Sequence, residues 1–181
     1  MREMTGAVTL ATAEDKDVIE SGGKTDFRDR GTWAPAVVDR VVADGEQVRL
    51  GDVALTAHLT PGHTKGCTTW TMVVEEDGEQ YDLAILGGVR VNTNEPLVGH
   101  SEYPTMPQDF AYTFARLKVL PVDVYLGAHG YWFGLANKRE QLLAGAESNP
   151  FIDPDGYRRA IRYWENGYLD RLREETHDKT Q

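Results

Sequence analysis

Short runs of alternating hydrophobic and polar residues fill the first half of the chain and predict strands. These runs span residues 7–11, 36–42, 46–50, 53–59, 67–76 and 80–88. The pairs Asp44-Gly45, Gly51-Asp52 and Asp77-Gly78 separate neighbouring runs and are hairpin signals. Residues 83–86 are almost entirely apolar, which predicts a strand segment buried on both faces.

Helical spacing replaces this alternation beyond residue 105. Phe110, Phe114 and Leu117 recur at i, i+4 and i+7, which predicts a helix packed on a core. A short buried strand at 122–126 and a helix at about 136–146 follow. The last helix is predicted to begin after Asp153 as its N-cap and to end near Glu175. Its apolar stripe consists of Tyr157, Ile161, Trp164, Tyr168 and Leu172. Strands in hairpins, covered later by helices, predict an α/β fold with a mixed sheet.

The segment before the second strand run predicts a helix and a loop. Thr12 followed by Asp15 matches a capping box, which opens a helix to about Glu20. Residues 24–35 form an irregular loop, and we expect Phe27 and Trp33 to pack it against the rest of the molecule.

Composition narrows the class of protein. The 181 residues fit one domain, 1–181. Lys+Arg number 19 against 29 Asp+Glu, for a net charge of −10, which argues against nucleic acid or anionic lipid as partners. With one cysteine, Cys67, no disulfide forms within the chain, and no apolar run is long enough to span a membrane.

Two histidines are presented in the way that metal ligands often are. His63 lies in a Pro-Gly turn directly after a strand, and His129 lies between glycines after the buried strand 122–126. Loops at strand ends are where α/β proteins place ligands, and imidazole is a common zinc ligand. The sequence therefore predicts a shared zinc site, although two turn histidines that never meet fit the same pattern.

The remaining histidines and the cysteine have simpler interpretations. His58 lies five residues before His63, on the opposite face of a regular strand, and is predicted to be a partly buried structural residue. Cys67 is predicted to be a small buried residue, although a thiolate ligand is the alternative. His100 is read as a loop residue and His177 as a solvated one.

The segment TAHLTPGHTKGCTTWTM, residues 56–72, resembles the third metal-binding motif of the metallo-β-lactamase superfamily. Residues 103–135 and NPFIDPDGYRRAI, residues 149–161, are similar to the C-terminal part of subclass B3 metallo-β-lactamases. Residues 5–27 also fit that family, so the resemblance covers nearly the whole chain. It implies an αββα sandwich with a dinuclear zinc site, in which His63 binds the first zinc and His129 the second.

The function implied by this resemblance is hydrolysis of the β-lactam amide by a zinc-bound hydroxide, since zinc lowers the pKa of bound water to about 7. Its implied partner is a β-lactam, and its implied location is the periplasm or the exterior of the cell. The loop 87–97 contains no serine, although many relatives carry serines there that help to hold the substrate carboxylate, so Arg90 and Asn92 are candidate substrate contacts instead.

The chain departs from the family in two further respects. It contains no H-x-H-x-D-H motif, and Val122 and Tyr157 occupy the positions of a cysteine pair common in the family. Without that motif each zinc has one histidine from this chain, below the usual count of three. Residues 1–7 resemble the end of a helix already under way, so we expect a sandwich incomplete at its N-terminus, with little or no activity by itself.

Two alternatives stay open. One is another hydrolase of the superfamily, acting on a lactone or a thioester, against which residues 149–161 argue. The other is a non-catalytic remnant or binding module, because an incomplete sandwich would expose the inner face of its sheet and favour self-association.

Overall fold

The computed structural model describes residues 2–28 and 33–178. Its elements in chain order are α1 Arg2–Thr5, β1 Leu10–Ala11, α2 Ala13–Glu20, β2 Arg40–Val41, β3 Gln47–Leu50, β4 Val53–Leu59, β5 Thr68–Glu76, β6 Glu79–Leu86, α3 Met106–Val119, β7 Val124–Gly127, a 3₁₀ helix Gly130–Phe133, α4 Leu135–Leu143 and α5 Pro154–Asp178. None of the helices described over these ranges is both long and apolar enough to cross a membrane.

The main sheet contains β3 to β7 in chain order. Neighbours are antiparallel from β3 to β6, whereas β7 pairs with β6 in parallel. A parallel pair needs a crossover, and α3 supplies it. The predicted mixed sheet is therefore confirmed, as are the hairpins at Gly51-Asp52 and Asp77-Gly78, where Asp77 and Gly78 adopt φ angles of 53° and 84°.

The predicted hairpin at Asp44-Gly45 is wrong. β2 pairs in parallel with β1, with Leu10 opposite Arg40, and the two form a separate small sheet. The carboxylate of Asp39 accepts a hydrogen bond from the backbone N–H of Thr9 at 2.8 Å and strengthens this pairing. The Asp44-Gly45 turn reverses the chain locally, but a turn does not determine which strand pairs with the preceding strand, β2.

Helices α3 and α5 cover one side of the main sheet, and the core lies between them and the strands. Phe110 and Phe114 of α3 lie 5.8 and 5.7 Å from the ring of Tyr168 on α5. The hydroxyl of Tyr157 donates to the backbone carbonyl of Leu117. Both predicted apolar stripes are confirmed, because both face this core.

The start of α5 is also as predicted. Oδ1 of Asp153 accepts a hydrogen bond from the backbone N–H of Gly156 at 2.7 Å, which is N-cap geometry. The helix continues to Asp178, three residues beyond the predicted end at Glu175.

The opposite side of the main sheet, here called the open side, is apolar and only partly covered by the described residues: Leu50, Val53 and Ile85 on it are exposed, whereas Ala57 and Val124 are buried. Ile85 is 38% exposed, so the prediction that 83–86 is buried on both faces is wrong, because no described residue covers Ile85 enough to bury it there. By register, the open side contains Val48, Leu50, Val53, Leu55, Ala57, Trp70, Met72, Val74, Tyr81, Leu83, Ile85, Val124 and Leu126. The small sheet lies at one end of it, near Trp70.

Candidate functional site

His63 lies in the connection from β4 to β5, residues 60–67, here called the histidine loop. Gly62 adopts φ 129°, and a Cβ built on it would lie 2.8 Å from the ring of Phe110. Only glycine fits this position, because the backbone passes directly over an aromatic ring of α3. The hydroxyl of Thr113, also on α3, donates to the carbonyl of Pro61 at 2.6 Å. The loop is therefore attached to the helix layer of the core.

The start of α2 holds the other end of the histidine loop. The carboxylate of Asp15 accepts hydrogen bonds from the backbone N–H of Gly66 at 3.0 Å and from the hydroxyl of Thr64 at 2.8 Å. The hydroxyl of Thr12 donates to the carbonyl of Gly66 at 2.9 Å. Thr12 is the N-cap residue, but its side chain makes no capping bond. The predicted capping box is therefore wrong, since both side chains bond the histidine loop instead.

The imidazole of His63 is fixed from two directions. Its Nδ1 lies 2.9 Å from the carbonyl oxygen of Arg90. A carbonyl oxygen only accepts, so Nδ1 carries the proton and Nε2 keeps its lone pair. The ring lies against Gly88, where an added Cβ would be 2.4 Å from Cγ of His63. Burial lowers the pKa of His63, so the neutral form predominates near pH 7.

His129 follows β7 and lies at the same edge of the sheet. Leu86 of β6 is the register partner of Gly127, so Gly88 and His129 each stand two residues beyond the last pair of a parallel ladder. The ring of His129 is exposed, with its centroid 4.9 Å from that of Trp132 and 5.5 Å from that of Tyr131. The structure thus brings both predicted histidines to one sheet edge.

The candidate substrate contacts share one loop after β6. Arg90 supplies its carbonyl to His63, and its exposed side chain lines a cleft of about 390 Å³ against α5. Tyr163 and Trp164 form part of the opposite wall. Asn92 is half-buried in the same loop but does not line this cleft.

Two charged residues near His63, Asp26 and Arg28, were not identified from the sequence. The carboxylate of Asp26 is almost fully buried and binds the guanidinium of Arg28, with Nη2 at 2.7 Å from Oδ2. After burial and the contact with Arg90, these two charges are the next influences on the pKa of His63, and they act in opposite directions. The only signal in the sequence is the short spacing D-x-R, which is too common to indicate a site.

The other histidines and the cysteine have structural surroundings. Nε2 of His58 lies 2.7 Å from the Thr71 hydroxyl, as expected of a structural residue. His100 is buried, with Nε2 3.7 Å from a carboxylate oxygen of Glu95. The Cys67 sulfur accepts from a backbone N–H at 2.8 Å, and burial raises the pKa of its thiol. The thiol is therefore protonated near pH 7, and Cys67 is partly rather than fully buried.

His63 suits a zinc ligand, because a metal-binding imidazole commonly donates its second N–H to a carbonyl. The ligand count does not suit a catalytic zinc, which usually takes three protein ligands. Within residues 2–28 and 33–178, no group of three or more His, Cys, Asp or Glu side chains is arranged to hold a metal. The described residues therefore do not form a complete catalytic zinc centre by themselves.

No protein-family model matches the sequence. Solved structures do match it over almost its whole length. The FEZ-1 metallo-β-lactamase from Legionella gormanii is 40% identical, with a TM-score of 0.92, and the alignment covers 97% of this chain and 68% of that one.

Two further structures agree. BJP-1, a subclass B3 metallo-β-lactamase of Bradyrhizobium japonicum, is 33% identical with a TM-score of 0.87, over 98% of this chain and 67% of that one. LRA-12, a class B3 di-zinc metallo-β-lactamase from an Alaskan soil metagenome, is 27% identical with a TM-score of 0.84, over 94% and 66%. This chain thus spans about two thirds of the length of each.

Proposed function

Because the chain belongs to the subclass B3 metallo-β-lactamases, we propose that it serves zinc-dependent hydrolysis of the β-lactam amide, with His63 and His129 as ligands of two zinc ions. The observation that carries this proposal is the orientation of His63. Its Nδ1 proton is committed to the carbonyl of Arg90, which leaves Nε2 as the atom available to a metal.

The surroundings of His63 support a ligand role rather than an incidental one. Contacts from α2, α3 and the loop after β6 all converge on the histidine loop, through Asp15, Thr113 and Gly88. Such support holds an imidazole in one rotamer before a metal arrives, which metal sites need. The same sheet edge carries His129, as expected for two ions bound side by side.

Arg90 is the stronger of the two candidate substrate contacts. Its side chain is exposed in a cleft while its backbone carbonyl contacts His63, and its positive charge complements a carboxylate such as the one that β-lactams carry. We propose that Arg90 binds this carboxylate and that Asn92 contributes a neutral hydrogen bond from the same loop.

The number of zinc ligands limits the hydrolytic activity that these 181 residues have on their own. They supply one imidazole to each proposed zinc, so we propose that the purified chain has little or no β-lactamase activity. By the same resemblance, we propose a periplasmic or secreted location, which fractionation of cells expressing the native gene would test.

Zinc binding and turnover test the proposal separately. Titration of the 181-residue chain with zinc, followed by calorimetry, should give weak binding that H63A and H129A each reduce. H177A is the matched control, because His177 is exposed on the last turn of α5. Zinc binding equal in H63A, H129A and the parent chain would overturn the ligand assignment.

Turnover of a chromogenic cephalosporin should stay at the background rate in saturating zinc. A rate abolished both by a chelator and by H63A would contradict the proposed inactivity while supporting the ligand role of His63.

The open side of the sheet favours a second role, self-association with another copy of this chain. Its side chains are almost all apolar, and Leu50 and Val53 are 85% and 45% exposed. Five strands spaced ~4.8 Å apart and about six residues long present a face of roughly 500 Å², so two copies would bury about 1,000 Å², the lower bound for a specific interface. A face of this size rarely stays in contact with water.

Light scattering after size exclusion tests this role. The chain should elute as a dimer, and I85K should shift it to monomer by placing a charge on the open side. L143K is the matched control, because Leu143 is exposed on α4, away from that face. A monomeric parent chain, or equal effects of I85K and L143K, would contradict self-association.

A further inference from the structure

The imidazole of His129 is held differently from that of His63. Among the described residues, no side chain or backbone group makes a hydrogen bond with it. Its neighbours are two aromatic rings of the 3₁₀ helix: Trp132, whose plane stands at 72° to the imidazole, and Tyr131, whose plane lies at 21°. Trp132 also contacts the backbone, since its N–H donates to the carbonyl of His129 at 2.9 Å. Aromatic contacts therefore take the place that the carbonyl of Arg90 has beside His63.

Trp132 is the fixed member of this aromatic pair. It is 8% exposed, whereas Tyr131 is 66% exposed. Gly127, the last residue of β7, lies against the indole, where an added Cβ would be 2.9 Å from Cε3. Trp164 of α5 also packs on the indole, with ring centroids 5.9 Å apart. The end of β7 and the helix α5 therefore confine Trp132 to one position.

A confined ring beside an exposed histidine matters, because a metal ligand has to be held in one rotamer. The segment around His129 is glycine-flanked and the imidazole is exposed, so without a neighbour the side chain would sample several staggered rotamers. The T-shaped contact with Trp132 favours the rotamer in which the two rings meet. Tyr131 restricts the imidazole less, because its own ring is mostly surrounded by water. Of the two neighbours, Trp132 is therefore the one that orients His129.

We propose that Trp132 is a positioning residue for the second zinc site: it holds the imidazole of His129 in the rotamer that a metal ion at this sheet edge requires. Trp132 itself does not touch the metal and acts only through His129. This inference rests on the function proposed above, and it names the residue that does for His129 what Gly88 and Arg90 do for His63.

The zinc-free chain gives the first test, because it reports the orientation of His129 without any metal. In the presence of a chelator, the Hα–Hβ couplings of His129 measure the populations of its χ1 rotamers, and H129A identifies its signals by their loss. The parent chain should show one dominant rotamer, and W132L should show averaging among several. F133L is the matched control, because Phe133 is a buried aromatic residue of the same 3₁₀ helix that packs on Phe151 instead. It should leave the couplings of His129 unchanged.

Zinc affinity gives the second test. The imidazole signals of His63 and His129 can be followed separately during one zinc titration. We expect W132L to weaken binding at His129 by about three- to tenfold and to leave binding at His63 unchanged. W132F should retain most of the affinity, because a phenyl ring keeps an aromatic contact with the imidazole. F133L should change the affinity at neither histidine, even if it lowers stability.

The two tests separate the positioning role from the ligand role. If H129A and the parent chain bind zinc equally, the ligand role of His129 fails, and with it the zinc site that Trp132 serves. If H129A weakens zinc binding but W132L and F133L have equal effects on the couplings and on zinc affinity, the positioning role alone fails. Several equally populated rotamers of His129 in the parent chain would also overturn it. If W132L does not fold, G127A should give the same results, because a Cβ on Gly127 displaces the indole.

Discussion

The imidazole of His63 lies so close to Gly88 that a Cβ on Gly88 would be 2.4 Å from Cγ of His63 and 2.5 Å from its Cδ2. Gly88 is therefore part of what orients the histidine, together with the carbonyl of Arg90. No positive φ is required at this position, so steric exclusion alone explains the glycine.

G88A should displace His63 and break its bond to Arg90. We expect the free energy of unfolding to fall by about 1–3 kcal/mol from overpacking, and zinc affinity to fall about 10- to 100-fold because the supporting contact is lost. Denaturant unfolding and zinc titration measure the two effects. G167A is the control: Gly167 has open space around it within α5, so alanine should stabilise by about 0.5–1 kcal/mol. Unchanged zinc affinity in G88A would refute the orienting role.

Asp15 should matter through the histidine loop rather than through α2. D15A removes the acceptor of the buried Gly66 N–H, so we expect a loss of about 1–3 kcal/mol in unfolding free energy. D15N should cost less, because its amide oxygen still accepts that bond. If Asp15 acted only as a helix-capping residue, both variants would lose helicity in α2 and leave the histidine loop unchanged. Amide hydrogen exchange at Gly66 and Thr64 distinguishes this from support of the histidine loop, because only loss of that support speeds exchange there.

The stability difference between D15N and the parent chain should depend on pH. Burial raises the pKa of Asp15 above its ordinary 3.8, although bonds from Thr64 and Gly66 oppose this. The folded state therefore binds the proton more tightly than the unfolded state, and the parent gains stability as pH falls through the raised pKa. The unfolding free energy of D15N relative to the parent should fall as the pH is lowered from neutral. A constant difference across that range would contradict a raised pKa.

The pKa of His58 should respond to Arg116. Burial lowers this pKa from its ordinary 6.5, and the guanidinium of Arg116, 3.2 Å from Nδ1, lowers it further. As pH falls below 6.5, the unfolded chain takes up a proton that the folded chain does not, so stability is lost. R116M should raise the pKa and reduce this loss, which an NMR titration of the His58 ring measures. A pKa that stays the same or falls in R116M would contradict the electrostatic contribution.

Phe110 should contribute strongly to stability, because its ring supports Gly62 on one side and packs on Tyr168 on another. We expect F110A to lower the free energy of unfolding by about 3–5 kcal/mol, since it opens a cavity in the core. V119A, on the exposed end of the same helix, should change it by less than about 0.5 kcal/mol. Similar effects of the two substitutions in denaturant unfolding would show that α3 is not anchored through Phe110.

Periodicity by itself determined the elements whose partners are close in sequence or whose apolar stripes are long. The stripe of α5, the N-cap at Asp153 and the β5–β6 hairpin need only local geometry, so the sequence predicts them correctly. The presentation of His63 and His129 at strand ends follows in the same way, because each lies directly after an apolar run and beside glycine.

Contacts between segments that are distant in sequence determined the hydrogen-bond partners, the strand pairing and the burial that the sequence did not predict. Thr12 and Asp15 match a capping box, but folding brings Gly66 within reach, and its buried polar groups take those side chains instead. The Asp44-Gly45 turn cannot specify that β2 pairs with β1. The exposure of Ile85 depends on whether another layer covers it, and a residue's own sequence neighbours carry no information about that. Local sequence patterns determine backbone conformation, because it depends on neighbouring residues. Hydrogen-bond partners and burial depend on which distant segments come together in the folded chain.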